Sequence, residues 1–222
     1  MDAAMGFSLE TIVLWVVPVV FAITLHEAAH GYVAKLLGDR TAEMLGRITL
    51  NPLKHIDPVG TLLVPGILLA LAWINKSPPF VFGWAKPVPV NFGNLRNPKS
   101  DMIWVAAAGP GSNFLQALLW ALVLVAASPG GAWPSDGLLE MADIGFKVNL
   151  VLMALNLLPL PPLDGGRVLA GLLPESAAST LSRIEPYGFF IILALLATGL
   201  LDDLMRPVVR AAASVIARIV GA

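Results

Sequence analysis

The chain has 222 residues, of which 57% are hydrophobic and only 13% are charged. Soluble domains carry about 25% charged residues, so this composition is typical of a protein whose main solvent is lipid. The net charge of -1 gives no basis for a nucleic-acid partner, and the absence of cysteine excludes disulfides and thiolate metal sites.

The first predicted helix covers residues 9–37 and contains an almost purely apolar run. No Lys or Arg precedes that run, so we expect a retained membrane helix and not a cleaved signal peptide. Pro18 is expected to kink the helix, and Gly38 to end it. A polar segment follows, and residues 59–74 form a second apolar run with Pro65-Gly66 at its centre.

A Pro-rich, basic connection at residues 75–101 leads to a clear spanning run at 102–127. Residues 141–160 form another span, which ends in PLPPLDGGR, and residues 187–201 are again apolar. The tail, residues 206–222, is a helix candidate whose polar face repeats every four residues at Arg210, Ser214 and Arg218. The pattern predicts an all-α membrane protein, a polytopic helical bundle that forms one domain over residues 1–222.

Basic residues next to the spans predict the orientation of the chain. Four lie at the end of the first helix or soon after it, namely Lys35, Arg40, Arg47 and Lys54. Residues 75–101 are also basic, whereas the loop at 128–140 has no Lys or Arg. We therefore expect a multi-pass protein of a prokaryotic-type cell membrane with both flanks of residues 59–74 in the cytoplasm. That segment should be re-entrant, turning near Pro65-Gly66.

The first helix contains the sequence HEAAH, residues 26–30. His26 and His30 are four positions apart, so they share one helix face and can direct two imidazole nitrogens at one zinc ion. Glu27 is suited to act as a general base. The motif also occurs by chance, but each ionisable group at the centre of a membrane helix costs about 2.5–3.5 kcal/mol. A bound metal would compensate that cost.

A catalytic zinc site needs a third protein ligand, and Asp164 is the best candidate. It follows an apolar run that prolines interrupt, and Gly165-Gly166 permits a sharp turn and close backbone approach. Such broken helices are tolerated at membrane depth where they line a cavity. The alternative is a loop aspartate that caps a helix. His55, Asp57 and Asp101 are the other candidate ligands, although His55 fits a loop position better.

These motifs resemble those of the site-2 protease family of intramembrane zinc metalloproteases, in its compact form without PDZ or CBS domains. HEAAH is similar to the first family motif, and the stretch from Asn156 through Asp164-Gly165, with Pro159 and Pro162, is similar to the second. AAAGPGSNF, residues 106–114, resembles the start of the middle core helix.

The resemblance implies a three-helix catalytic core with His26, His30 and Asp164 as Zn²⁺ ligands and Glu27 as catalytic base. It also implies regulated intramembrane proteolysis, in which transmembrane helices of regulatory proteins are cleaved, often after a first cut outside. The cavity would open toward the cytoplasm. The family core has no need of the run at residues 59–74, which is where this chain departs from it.

Two polar positions in the core have competing interpretations. Asn156 could donate a hydrogen bond to the developing oxyanion or to the substrate backbone, or it could only join packed helices. Gly109 and Gly111 are expected to allow close helix packing. Asn113 is a weaker candidate for substrate contact than Asn156.

Residues 80–91, FVFGWAKPVPVN, are a candidate β-like loop that could pair with an unwound substrate. Pro87 and Pro89 lack N–H groups on one side of a strand, so the amides of Lys86, Val88 and Val90 are expected to be free on the other side. The alternative is a Pro-rich surface loop.

Two non-proteolytic functions compete with this interpretation: a zinc-binding membrane carrier and a non-catalytic membrane scaffold. A carrier needs ligands repeated along its path, whereas this sequence has one cluster and three histidines in total. A scaffold derived from a protease would have lost a motif residue, and none is missing. The sequence favours a protease acting on transmembrane proteins in the lipid bilayer, and it leaves the oligomeric state open.

Overall fold

A computed structural model describes residues 9–75, 83 and 85–221 of the chain. Helix α1 runs over Leu9–Leu36 and continues through Pro18. It ends one residue before the predicted boundary. Gly38 has a φ of +114°, which L side chains rarely adopt, and this turn returns the Asp39 N–H to the Ala34 carbonyl at 2.9 Å. A short helix α2, Thr41–Met44, follows.

The second apolar segment is helical throughout. A turn of π-helix, Pro58–Leu63, continues directly into α3, Val64–Ile74, and the Asp57 carboxylate caps its start. The helix continues through Pro65 and Gly66 directly after the π-helical turn. The predicted turn near Pro65-Gly66 is therefore wrong, because a proline at that place is compatible with helix. Re-entry of this segment into the bilayer stays a prediction.

The core of the molecule consists of α1 with two further helices, α4 (Pro98–Ala127) and α5 (Asp136–Asn156). Helices α4 and α5 have the most extensive mutual contact, and Gly145 of α5 lies directly against the Trp120 ring. Because glycine has no side chain, the Trp120 ring can pack directly against the α5 backbone. Such close packing holds membrane helices together where lipid provides no hydrophobic driving force between them.

Helix α5 ends at Asn156, four residues before the predicted boundary. A non-helical stretch then leads to α6, Asp164–Leu172, which begins at the candidate ligand itself. A Cβ at Gly165 would collide with the carbonyls of Leu157 and Leu158, and one at Gly166 with the Pro161 backbone. Close backbone approach at these glycines was predicted, and it brings Asp164 back beside the helix that precedes it.

The remaining helices lie C-terminal to the site: α7 (Glu175–Ser182), α8 (Gly188–Ala197) and α9 (Leu200–Val220). Helix α9 buries Ala212 and Ile216 against Ala117 of α4 and Leu150 of α5. The predicted polar face of the tail is confirmed: Arg210, Ser214 and Arg218 are exposed.

Three helical segments in the described part of the chain are long and apolar enough to cross a membrane: Glu10–Leu36, Pro98–Ala127 and Glu175–Ala197. Helix α5 is not among them, because it carries Asp136, Glu140, Asp143 and Lys147. The protein is an all-α membrane protein, as the sequence predicts. The candidate β-like loop lies partly outside the described residues, since 80–82 and 84 are not included, and residues 85–90 are neither helix nor strand.

Candidate metal centre

Three side chains from two distant parts of the chain converge on one point. His26 and His30 approach from one face of α1, and Asp164 approaches from the first position of α6. The two Nε2 atoms are 3.1 Å apart, and Asp164 Oδ2 is 3.2 Å from His26 Nε2 and 3.3 Å from His30 Nε2. The structure thus brings together the three residues that the motifs predict as zinc ligands.

The other ring nitrogen of each histidine determines its tautomer. His30 Nδ1 lies 2.7 Å from the Val105 carbonyl, which can only accept, so this nitrogen carries the proton. His26 Nδ1 lies 2.6 Å from Asn113 Oδ1, another acceptor. In their neutral form, both imidazoles therefore direct an unprotonated Nε2 at the same point, which is the state that a metal ligand requires.

The third atom at this point has no proton donor either. Asp164 Oδ2 is buried, and no described residue donates a hydrogen bond to it. Three unshared electron pairs would therefore face one another at about 3.2 Å unless a cation lies between them. Ligands about 2.0–2.1 Å from a tetrahedral zinc are about 3.3 Å apart, so the spacing fits Zn²⁺.

Gly109 of α4 makes space for this arrangement. A Cβ at that position would collide with His30 Nε2 and with the His26 ring, whereas one at Gly111 would meet nothing within 4 Å. The prediction treated both glycines as helix-packing residues. Only the tertiary structure distinguishes the one that lies under the imidazoles.

A chain of two buried asparagines orients His26. Asn113 and Asn149 are both 0% exposed. The Asn113 amide donates to the Ala22 carbonyl and, at 2.9 Å, to Asn149 Oδ1, while Asn149 donates to the Gly145 carbonyl at 2.8 Å. Only one amide orientation satisfies all these bonds, and it turns Asn113 Oδ1 toward His26. Sequence reasoning missed Asn149, although a polar residue inside an apolar helix is a usable signal.

Glu27 lies beside the three converging side chains and has an unexpected partner. Its Oε2 accepts a 2.7 Å hydrogen bond from the backbone N–H of Val88. Val88 is itself buried. The segment of residues 85–91, hereafter the 85–91 segment, therefore lies against the candidate base.

Several contacts hold the 85–91 segment in place. The Lys86 N–H donates to the His55 carbonyl at 2.9 Å, and Arg47 donates to the carbonyls of Lys86 and Pro87. At its end, the Asn91 N–H donates to the buried Asp39 carboxylate at 2.7 Å. The prediction that the Lys86 and Val88 amides are free is wrong, because both already have intramolecular acceptors. No described residue accepts a hydrogen bond from the Val90 N–H.

A cavity of about 150 Å³ opens above the converging side chains. Its walls come from α1, from α4, from the 85–91 segment with Phe92, and from the α5–α6 region. Asn156 lines it and donates to the Leu152 carbonyl at 3.0 Å, which uses one of its two amide protons. Arg167, one helical turn after Asp164, also lines the cavity.

The alternative ligands are occupied elsewhere. His55 Nε2 lies 3.1 Å from the Thr49 carbonyl. Asp57 caps the helix that begins at Pro58, and Asp101 accepts from the Asn97 N–H at 2.8 Å. These residues have local structural partners, so among the described His, Asp and Glu residues only His26, His30 and Asp164 form a metal-binding group.

Comparison with known proteins agrees with this geometry. The family model described as peptidase family M50 matches residues 125–199, which include Asn156 and Asp164. The chain is 39% identical to "Putative zinc metalloprotease YwhC" of Bacillus subtilis over 95% of this chain and 92% of that protein.

More distant relatives carry a similar name. The chain is 33% identical to "Putative zinc metalloprotease Rip2" of Mycolicibacterium smegmatis over 82% of this chain, and 30% identical to Rip2 of Mycobacterium tuberculosis over 79% of it. It spans 65% and 62% of the lengths of those two proteins. No solved structure matches the chain. The match to YwhC covers almost the whole of both proteins, and the His-His-Asp centre is suited to zinc. The chain therefore belongs to peptidase family M50 and is an intramembrane zinc metalloprotease.

Proposed function

We propose that His26, His30 and Asp164 hold the zinc ion, that Glu27 is the general base, and that residues 1–222 form one protease domain. The observation that carries this proposal is the convergence of two unprotonated Nε2 atoms and one orphaned carboxylate oxygen within about 3.3 Å of one another. The proposed substrates are transmembrane helices of regulatory membrane proteins. Their peptide bonds would be hydrolysed within or near the membrane.

A zinc ion held by these residues supplies Lewis acidity, which lowers the pKa of water and polarises a carbonyl group. Glu27 takes a proton from the attacking water and later delivers it to the leaving amine. The Val88 N–H bonded to Oε2 fixes the direction of the Glu27 carboxylate and leaves Oε1 to receive the proton. The asparagine chain keeps His26 in the tautomer that can bind a metal.

Asn156 is the proposed donor to the oxygen that gains negative charge during attack. It lines the cavity, and its amide has a second proton that the Leu152 carbonyl does not use. One such donor is typically worth several kcal/mol in the transition state.

Substrate binding to the 85–91 segment is a separate part of the proposal. Lys86, Val88 and Val90 were the expected pairing residues, and two of these amides have partners in this state of the protein. Val90 lines the cavity, so its N–H is the donor best placed to meet an unwound substrate. Pairing through Lys86 or Val88 would require the segment to shift first.

We also propose that the cavity opens toward the cytoplasm. Basic residues flank the ends of α1 and α4 near the site, whereas the α4–α5 loop has none. The protein contains no cysteine, so single cysteines can report the side directly. A cysteine at Lys99 should react with an impermeant maleimide only when the cytoplasmic face is accessible, as in permeabilised cells. A cysteine at Trp133 should react in intact cells, and the reverse pattern would overturn the orientation.

Quantitative membrane proteomics of cells carrying wild type or Glu27→Gln tests the protease proposal. The variant should retain zinc, because Glu27 is not a ligand, and membrane-anchored regulators should accumulate uncut. A zinc carrier would still transport zinc with glutamine at position 27. A scaffold would leave the same membrane proteins uncut in cells with wild type and in cells with Glu27→Gln. Equal substrate levels in cells with zinc-loaded wild type and variant would refute proteolysis through Glu27.

A further inference from the structure

Arg167 places an uncompensated positive charge in the catalytic cavity. Of the ionisable residues that line it, Glu27 and Asp164 are acidic, and their two charges balance a Zn²⁺ ion. The positive charge of Arg167 then has no balancing negative charge among the residues that line the cavity. No carboxylate among the described residues lies within ion-pair distance of its guanidinium group.

The position of Arg167 is set by its helix and by an aromatic ring. It lies three residues after Asp164 in α6, so both side chains leave the same face of that helix. Its guanidinium carbon is 5.9 Å from the centre of the Phe92 ring, which gives a cation–π contact. Phe92 in turn packs against the buried cluster of Ala34, Leu95 and Val105.

The guanidinium group of Arg167 has hydrogen-bond donors that no described residue uses. The guanidinium carbon lies over the Phe92 ring, and no described residue accepts a hydrogen bond from the guanidinium N–H groups. A planar fork of this kind matches a carboxylate and can bind it through two hydrogen bonds. A lysine ammonium would offer a point charge without that geometry.

We propose that Arg167 is a specificity-determining residue that binds a carboxylate of the substrate next to the scissile bond. The inference rests on the proposed protease function and adds a substrate preference to it. The carboxylate belongs either to an Asp or Glu side chain or to the free C-terminus of a shortened substrate. A lipid phosphate is the competing ligand, because Arg167 is exposed although it also lines the cavity.

The test begins with a library of one transmembrane segment in a cellular cleavage reporter, in which each position near the cytoplasmic end is Asp, Asn or Lys. A cleaved sequence is then made as a synthetic peptide and assayed with purified zinc-loaded enzyme in detergent micelles. The Asp form should have a kcat/KM about 10- to 100-fold above the isosteric Asn form, mainly through a lower KM. Arg167→Gln should remove this ratio, Arg167→Lys should restore part of it, and Arg167→Glu should favour the Lys form.

Arg210→Gln is the matched control, since Arg210 is an exposed arginine on α9 outside the cavity. It should leave the ratio unchanged. Zinc content and the melting temperature are measured for every variant, so a folding defect is recognised separately. A second peptide pair, with a free or an amidated C-terminus, distinguishes the two carboxylate sources, because only a terminal carboxylate loses its effect on amidation.

Three outcomes would overturn the inference. If the wild-type enzyme cleaves the Asp and Asn forms equally at every position, it has no preference for a carboxylate. If Arg167→Gln keeps the ratio of kcat/KM between the Asp and Asn forms, another residue causes the preference. A loss of activity in Arg167→Gln that occurs in lipid vesicles but not in detergent, and equally for all peptides, assigns Arg167 to lipid. If wild type cleaves no library member, the proposed function itself fails.

Discussion

The backbone N–H of Val88 donates a 2.7 Å hydrogen bond to the Glu27 carboxylate across 61 residues of sequence. The candidate base is therefore oriented by the 85–91 segment, which Arg47, His55 and Asp39 anchor from outside the site. Because a carboxylate that accepts a fixed hydrogen bond has fewer orientations, the bond presents one oxygen to the cavity. The segment acts on the catalytic group even before substrate binds.

Replacing Val88 with proline should test this orientation. Val88→Pro removes the N–H donor, so we expect a roughly 10- to 100-fold fall in kcat with one zinc per chain retained, given about 1.5–3 kcal/mol for a hydrogen bond to a charged group. Val88→Ala keeps the amide and should retain most of the activity. Full activity of the proline variant would show that the bond has no catalytic role.

Val90→Pro tests substrate pairing separately from base orientation. The Val90 N–H has no acceptor among the described residues, so its loss should leave the free enzyme stable. If an unwound substrate pairs there, KM should rise about 10-fold while kcat changes little. A peptide assay in micelles measures both constants, and an unchanged KM would contradict pairing at this amide.

A methyl group at Gly109 should prevent zinc binding. The Cβ of Gly109→Ala would occupy space taken by His26 and His30, so zinc affinity should fall at least about 100-fold as measured by competition with a chromogenic chelator. Gly111→Ala adds the same methyl group two residues later with nothing within 4 Å. This control should bind zinc like wild type, and equal affinities of the two variants would refute the geometry.

Asn113→Leu should weaken zinc binding without adding bulk to the ligands. The variant leaves His26 Nδ1 without its acceptor, and such partners of metal ligands are typically worth about 10- to 100-fold in affinity. Gln116→Leu is the control, because Gln116 also donates to the Ala22 carbonyl but does not touch His26. If both variants lose the same affinity, the effect comes from helix packing and not from the histidine.

Asp39 should make stability depend on pH in the acid range. Burial raises the pKa of its carboxyl, and hydrogen bonds from Thr41, Asn91 and Asn94 outweigh this effect, so the pKa lies below its ordinary value. A lowered pKa in the folded state stabilises the protein above the unfolded pKa of about 3.9, and this stabilisation is lost as the pH falls through the folded value.

Thermal unfolding in micelles measures this contribution. At pH 7, Asp39→Asn should lower the free energy of unfolding by about 1–3 kcal/mol. The difference from wild type should shrink as the pH falls below about 4. Glu185→Gln, which changes an exposed carboxyl, should show neither effect. A gap between wild type and Asp39→Asn that stays constant down to pH 2 would contradict the assignment.

The sequence by itself determined the features that depend on local spacing. Apolar runs of membrane length predicted α1 and α4, because backbone groups in lipid must be satisfied within a helix. The four-residue spacing of His26 and His30 placed both on one face, since a helix turns once every 3.6 residues. Asp164 could be singled out because prolines and glycines around it break the helix at that point. The turn predicted at Pro65-Gly66 was wrong because the helix continues through both residues, and a proline inside a helix can kink it without ending it.

Only the tertiary structure decided which distant groups meet those residues. Asn113 contacts His26 across 87 residues of sequence, and Val88 contacts Glu27 across 61. Gly109 and Gly111 are equivalent in sequence, yet one lies under the imidazoles and the other in open space. Such contacts depend on the rotation and depth at which α1, α4 and α5 pack. Those quantities arise from close packing along whole helices, so no local pattern of residue types contains them.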